Sequence, residues 1–234
     1  MYGITFNGKH SFKNMGYKIL SNRVIKSPSK IKVKKSVPYM NGSYDFSDLY
    51  GGNCFTDRVL EYTFLLKATS GKNLEAVRMD CERWLMGTNE QTKLIDDNMN
   101  LYYYLAECEN IDFEEVGPTS GKLTATFNAY PFRLYGWVEG NDLWDRFNFE
   151  LDVFQEVKFN VKGSEDIVLY NQGSTHVKPT IIASAGMEII KDGVSYSIEK
   201  GTTNDWQFVL DVGENHLTVK GTGSIEFEFR KEVL

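Results

Sequence analysis

From Val59 to Lys67 apolar and polar positions alternate: Leu60, Tyr62, Phe64 and Leu66 fall on one face, Glu61, Thr63 and Lys67 on the other, with Leu65 out of pattern. A period of two marks a half-buried strand. After Ser70-Gly71-Lys72 the period lengthens. Leu74, Val77, Cys81, Trp84 and Leu85 share one face, Asn73 stands where an N-cap belongs and Gly87 where a helix ends, so one helix is predicted over about 73–86. Its opposite face carries Glu75, Arg78, Glu82 and Arg83, with Arg78 and Glu82 spaced to pair at i,i+4. Two long strands follow, Leu101 to Val116 and Lys122 to Tyr130, joined as a hairpin through Gly117-Pro118-Thr119-Ser120-Gly121.

Periodicity is lost around Asn128-Ala129-Tyr130-Pro131-Phe132 and Gly136-Trp137-Val138-Glu139-Gly140-Asn141, which places a domain boundary near 132–145 and divides 1–133 from 134–234. The second part contains only short alternating runs: Phe147 to Val153, Val157 to Val161, Ile167 to Tyr170, Thr180 to Ser184, Met187 to Ile190, Val194 to Ile198, Trp206 to Leu210, Leu217 to Val219 and Ile225 to Phe229. Turn signals separate them at Lys191-Asp192-Gly193, Glu199-Lys200-Gly201, Val212-Gly213-Glu214-Asn215 and Gly221-Thr222-Gly223. Short strands at such intervals predict an antiparallel β-sandwich. The fold class is mainly β: an N-terminal β-sheet or barrel domain with one helix, then a sandwich.

Near the N-terminus Ile31-Lys32-Val33-Lys34 alternates as well, which predicts a strand with one face buried and lysines in solvent. Charge sets this region apart. Residues 1–44 hold nine Lys or Arg and no acid; the first carboxylate is Asp45, and the remaining 190 residues carry 17 basic and 32 acidic groups. Such asymmetry has three readings: a solvated edge strand, a protein interface in which one copy's basic segment meets another's acidic surface, or a basic arm for nucleic acid.

The 234 residues suffice for one large domain or two modest ones, and 41% hydrophobic with 25% charged residues excludes disorder and fibrous repeats. No apolar run approaches the roughly 18 residues needed to cross a bilayer, and Met1 to Asn7 lacks a signal-peptide layout. The expectation is a soluble chain without a cleaved leader and without membrane insertion. Cys54, Cys81 and Cys108 are odd in number and lack a CxxC, which suggests neither a disulfide framework nor a zinc site and fits synthesis in a reducing cytoplasm.

Catalytic chemistry is poorly represented. His10, His176 and His216 lie in no motif, and HExxH, GxSxG, Walker A and GxGxxG are absent, so no catalytic residue and no cofactor are assigned. Cys81 lies on the apolar face of the helix, which disfavours a Cys-His hydrolase. Glu107, Glu109, Asp112, Glu114 and Glu115 cluster, but strand neighbours reach glycosidase-like separations by chance; an acidic solvated hairpin or a partner for the basic arm is the simpler reading. Asp96-Asp97-Asn98-Met99-Asn100 has oxygen ligands but neither the glycine nor the distal glutamate of an EF-hand, and reads as a turn. Trp137, Trp144 and Trp206, with Asn204, Asp205 and Asn215 nearby, open an alternative function as a carbohydrate-binding module, with Trp144 and Trp206 as glycan contacts. Against it, Trp206 continues the inward face of Phe208 and Leu210.

Val37-Pro38-Tyr39-Met40-Asn41-Gly42-Ser43-Tyr44-Asp45-Phe46-Ser47, then Gly51-Gly52 and Arg58-Val59-Leu60-Glu61-Tyr62-Thr63-Phe64, resembles the distal tail proteins of long, non-contractile-tailed phages infecting Gram-positive bacteria, with Tyr39 where those proteins usually have glycine. Asn128 to Phe132, Asn171-Gln172-Gly173, Lys178-Pro179-Thr180 and Leu210 to Asn215 are similar to the same family. The resemblance implies a first domain that forms a six-membered ring and a galectin-like second sandwich outside it. It implies a virion protein of the tail tip, made in the host cytoplasm, without catalytic activity. Its partners would be five further copies, the tail tube, the tape-measure protein and the tail-lysin or receptor-binding components, with DNA passing through the channel without specific binding.

A basic leading segment and an acidic remainder are complementary when copies stack head to tail, and such heterologous contacts close into rings when the rotation allows. The predicted interface residues are therefore Lys30, Lys32, Lys34, Lys35, Asn41, Gly42, Tyr44 and Asp45. The Asn41-Gly42 turn calls for positive φ at Gly42, so valine there is expected to impair folding or assembly.

Overall fold

The computed structural model describes residues 2–20, 23–47, 49, 52–69, 72–140, 154–205 and 207–234, and the chain divides into two compact units, Met1–Arg133 with Leu234, and Leu134–Val233.

The first unit contains β1 (Ile4–Phe6), β2 (Lys9–His10), β3 (Lys18–Ile19), β4 (Val24–Ile25), β5 (Lys34–Lys35), β6 (Tyr44–Asp45), β7 (Arg58–Lys67), α1 (Leu74–Met86), β8 (Thr92–Asp96), β9 (Tyr102–Gly117) and β10 (Ser120–Ala129). Its main sheet is antiparallel in the order β2-β1-β8-β9-β10-β7-β3, with β4 also on β7. The register explains the alternation: Leu60, Tyr62 and Phe64 lie opposite Phe127, Ala125 and Leu123, and all six are fully buried. Helix α1 packs on that face. Asn73 accepts from the Ala76 amide at 2.8 Å, and Val77, Cys81, Trp84 and Leu85 point into the same core. Trp84 meets the rings of Phe64 at 5.8 Å and Phe6 at 6.4 Å while its indole N–H donates to the Phe6 carbonyl at 2.8 Å, so its polar edge is satisfied in the core. Thr92–Asp96 and the short N-terminal strands escape the sequence pattern, because runs of two to five residues barely register in a periodicity window.

β11 (Arg133–Tyr135) follows in sequence. The second unit then contains β12 (Lys158–Asn171), β13 (Thr180–Ala183), β14 (Met187–Lys191), β15 (Val194–Ile198), β16 (Gly201–Thr203), β17 (Gly213–Glu228) and β18 (Glu232–Val233), which pairs with β11. Two pairs of predicted short strands are in fact single long ones: Val157–Val161 merges with Ile167–Tyr170 in β12, and Leu217–Val219 with Ile225–Phe229 in β17. Gly221-Thr222-Gly223 is therefore no turn. Gly221 and Gly223 hold φ of 141° and 147°, extended but on the side closed to other residues, so β17 continues through them. Before them β17 pairs with β14, beyond them with β13, and β12 accompanies it throughout. Leu217 and Val219 from one half share a core with Ile225 and Phe227 from the other.

Gly201–Thr203, read as part of a turn, is a strand on β13. Trp206 to Leu210, expected as a strand, contributes only the Val177–Leu210 bridge among the described residues, although Phe208 and Leu210 are fully buried. The predicted strand from Phe147 to Val153 lies outside the described residues.

Candidate functional site

Between Ser29 and Thr56 the chain leaves the first unit's sheet as an arm. Its two limbs pair antiparallel: the Thr56 amide donates to the Ser29 carbonyl at 2.9 Å, the Ile31 amide to Cys54 at 2.8 Å and the Phe46 amide to Val33 at 2.8 Å, while Lys34 and Lys35 stand opposite Asp45 and Tyr44. This register sorts the arm into two faces. Ile31, Val33, Lys35, Tyr44 and Phe46 fall on one; Lys30, Lys32, Lys34, Asp45 and Ser47 fall on the other. The predicted strand with a buried face is thus corrected: only Lys34–Lys35 is extended in a ladder, and Ile31 and Val33 are 45% and 55% exposed, because no layer among the described residues lies beneath them.

At the tip, Tyr39 and Gly42 take positive φ of 64° and 92°, and Tyr39 is fully exposed. Asp45 organises the polar face. The Ser47 hydroxyl and amide donate to it and Lys32 lies 3.4 Å away, which together hold its carboxyl down at about 2. The arm unites all eight predicted interface residues. The sequence pattern did not reveal Ile31, Val33, Val37, Tyr39, Met40, Phe46 and Leu49 as one exposed apolar set, although a dense apolar run beside turn residues was its signal.

The remaining candidates serve structure. His10 is buried; its Nδ1 accepts from the Phe12 and Lys13 amides at 3.0 Å each, and its Nε2 lies 3.0 Å from Asp97. His216 is exposed, 3.6 Å from the Glu214 carboxylate. Burial pushes the Cys81 thiol far up and the Cys108 thiol to about 12, both away from nucleophilic use. Glu109 accepts from Asn128, which also donates to Asp57. Asp96 to Asn100 forms a 3-10 turn over Asp97–Met99, with Asp96 capping it through the Asn98 amide. Among the described residues no three His, Cys, Asp or Glu side chains are grouped to hold a metal ion, and no helix is long and apolar enough to cross a membrane. Asn215 is buried, bonded to Asp211 and Gly213. Trp144 and Trp206 lie outside the described residues.

No family model and no curated protein sequence matches the chain. Among solved structures, the crystal structure of SPP1 Dit (gp 19.1), described as a paradigm of the hub adsorption apparatus in phages infecting Gram-positive bacteria, superposes with a TM-score of 0.66 at 14% identity over 100% of both chains. The fold is that of Dit. The baseplate of phage p2 in its activated conformation with Sr is matched at a TM-score of 0.41 and 10% identity, over 99% of this chain and 97% of that one. The Dit likeness covers residues of both compact units.

Proposed function

We propose that this protein is a non-enzymatic structural component of a phage tail tip: a homo-hexameric hub that links the tail tube to the receptor-binding or tail-lysin components. In this reading residues 1–133 close the ring and 134–234 form the galectin-like sandwich outside it. The tape-measure protein and then DNA occupy the channel, the DNA without specific binding. The protein is made in the host cytoplasm and resides in the virion.

The observation that carries the reading is the amphipathic arm. An isolated two-stranded hairpin is marginal in water, and this one exposes its apolar face along with Tyr39, Met40 and Leu49. Covering that face by another copy supplies the missing burial, and its lysines set orientation and encounter rate. The Dit fold over the whole chain supports the same conclusion. The interface would need on the order of 1,600 Å² for a standard contact.

Native mass spectrometry with negative-stain imaging tests it. A discrete ring of about six copies is expected, lost when Val33, Tyr44 and Phe46 are replaced together by serine. A strict monomer at every concentration overturns the reading.

A further inference from the structure

A second exposed strand edge lies in the first unit's own sheet. β9 is paired with β10 from Ala106 to Gly117 along one edge, but on its other edge β8 reaches only Tyr104 to Ala106. On the β10 side, beyond the end of β10, the Tyr130 amide donates to the Leu105 carbonyl at 2.8 Å. Among the described residues no strand continues the β8 edge beyond Ala106; bulges at Glu109 and Val116 interrupt β9, and the regular stretch between them, Asn110–Glu115, presents a free edge, a template for strand addition. Beside this edge Met79, Met86, Glu82 and Arg83 of α1 and Ile111 of β9 line a groove, with Met79 57% and Met86 49% exposed.

The arm has the matching free edge. Because Ile31 and Val33 direct their backbone groups to the return limb, those of Lys30, Lys32 and Lys34 point away from it. The faces match as well. On β9, Ile111 and Phe113 stand opposite Ala125 and Leu123 on the apolar side, while Asp112 and Glu114 stand opposite Thr124 and Lys122 on the outer side. A strand laid on this edge in the arm's alternation sets Ile31 and Val33 beside Ile111, Phe113 and the α1 methionines. The same placement sets Lys30, Lys32 and Lys34 beside Asp112 and Glu114.

Resting on the assembly reading above, we infer that the outgoing limb of the arm, residues 30–35, adds as a strand to the free β9 edge of a neighbouring copy. The contact is heterologous, each copy giving its arm to one neighbour and its β9 edge to the other, which is the requirement for a closed ring. Backbone hydrogen bonds would supply much of the affinity and the alternating faces the register.

The test uses the full chain in a Cys54→Ser background, where the two remaining native thiols are buried. Lys34→Cys with Asp112→Cys, treated with a short bis-maleimide, is expected to give a ladder of cross-linked species on a denaturing gel, absent from either single variant. In parallel, Asp112→Lys with Glu114→Lys is expected to weaken assembly at least tenfold, and adding Lys30→Glu with Lys34→Glu to restore it. Oligomers that form without the ladder and without rescue overturn this docking site while leaving the hub reading intact. A protein that never oligomerises overturns both.

Discussion

The phenolic O–H of Tyr62 donates to Asp96 Oδ2 at 3.0 Å, tying the centre of β7 to the end of β8 inside the first unit's core. The same oxygen accepts from Tyr2 at 3.0 Å and from Arg23 Nη1 at 2.6 Å, and the carboxylate is fully buried. Three N-terminal and central segments therefore converge on one charge.

Removing that charge strands its donors. Asp96→Ala is expected to cost about 3 kcal/mol, at the low end for breaking a buried pair because the Arg23 side chain retains 34% exposure. Tyr62→Phe, which deletes one hydrogen bond to an ion, should cost about 1.5 kcal/mol. Urea denaturation of the purified variants measures both; equal midpoints for Asp96→Ala and wild type would refute the network's role.

Alkaline pH should weaken the fold in two stages. Burial pushes the Cys81 and Cys108 thiols up, and burial, aided by the Asp96 charge, raises the Tyr62 phenol and takes Tyr2 to about 12; burial also raises Tyr17. Each folded value lies above its unfolded one, near 8.5 for Cys and 10 for Tyr. The unfolded chain thus releases protons first, and stability that is complete below those values is lost as pH rises through the folded ones. Urea midpoints should decline from about pH 8.5 and more steeply from about pH 10. A flat profile from pH 8 to 11 would contradict the burial of these groups.

Gly223 should resist any side chain. A Cβ there would lie 2.5 Å from Ser184 Oγ and 2.9 Å from Met187 Cε, at a φ of 147°. The Met187 methyl can swing aside, but Ser184 Oγ accepts from the Ser224 amide at 2.8 Å and must give way, so Gly223→Ala adds a modest packing cost to backbone strain and is expected to cost about 2 kcal/mol. At Gly163, with φ 88° but nothing within 4 Å, alanine brings backbone strain alone and should cost less. Chemical denaturation of the two variants side by side decides whether contact or conformation dominates.

Gly42→Val separates folding from assembly, which the sequence left joined. Its φ is 92° and no atom lies within 4 Å of the place a Cβ would take, so the strain of about 1–2 kcal/mol falls on the arm tip alone. The melting profile of the dispersed protomer should stay close to wild type while the oligomer fraction in native mass spectrometry falls. Unfolded protein would show that the tip is coupled to the core.

By itself the sequence determined the elements whose repeat is long enough to read. Alternation from Leu60 to Leu66, the three-and-four spacing from Leu74 to Leu85 and the hairpin around Pro118 each report a local period, and a local period follows directly from which face is buried. The charge division at Asp45 was equally plain and singled out the arm's lysines, while the turn at Asn41-Gly42 was read from its own residues. Tertiary structure alone decided the rest, because it depends on pairing between distant segments. Nothing local distinguishes Gly221-Thr222-Gly223 as a bend within one strand from a turn between two, since glycine permits both. Only the absence of a described layer beneath Ile31 and Val33 reveals their alternation as a surface, and only the early end of β8 leaves the β9 edge without a partner strand among the described residues. A strand's faces are written in its own residues, whereas its edges are defined by the neighbours that it has or lacks.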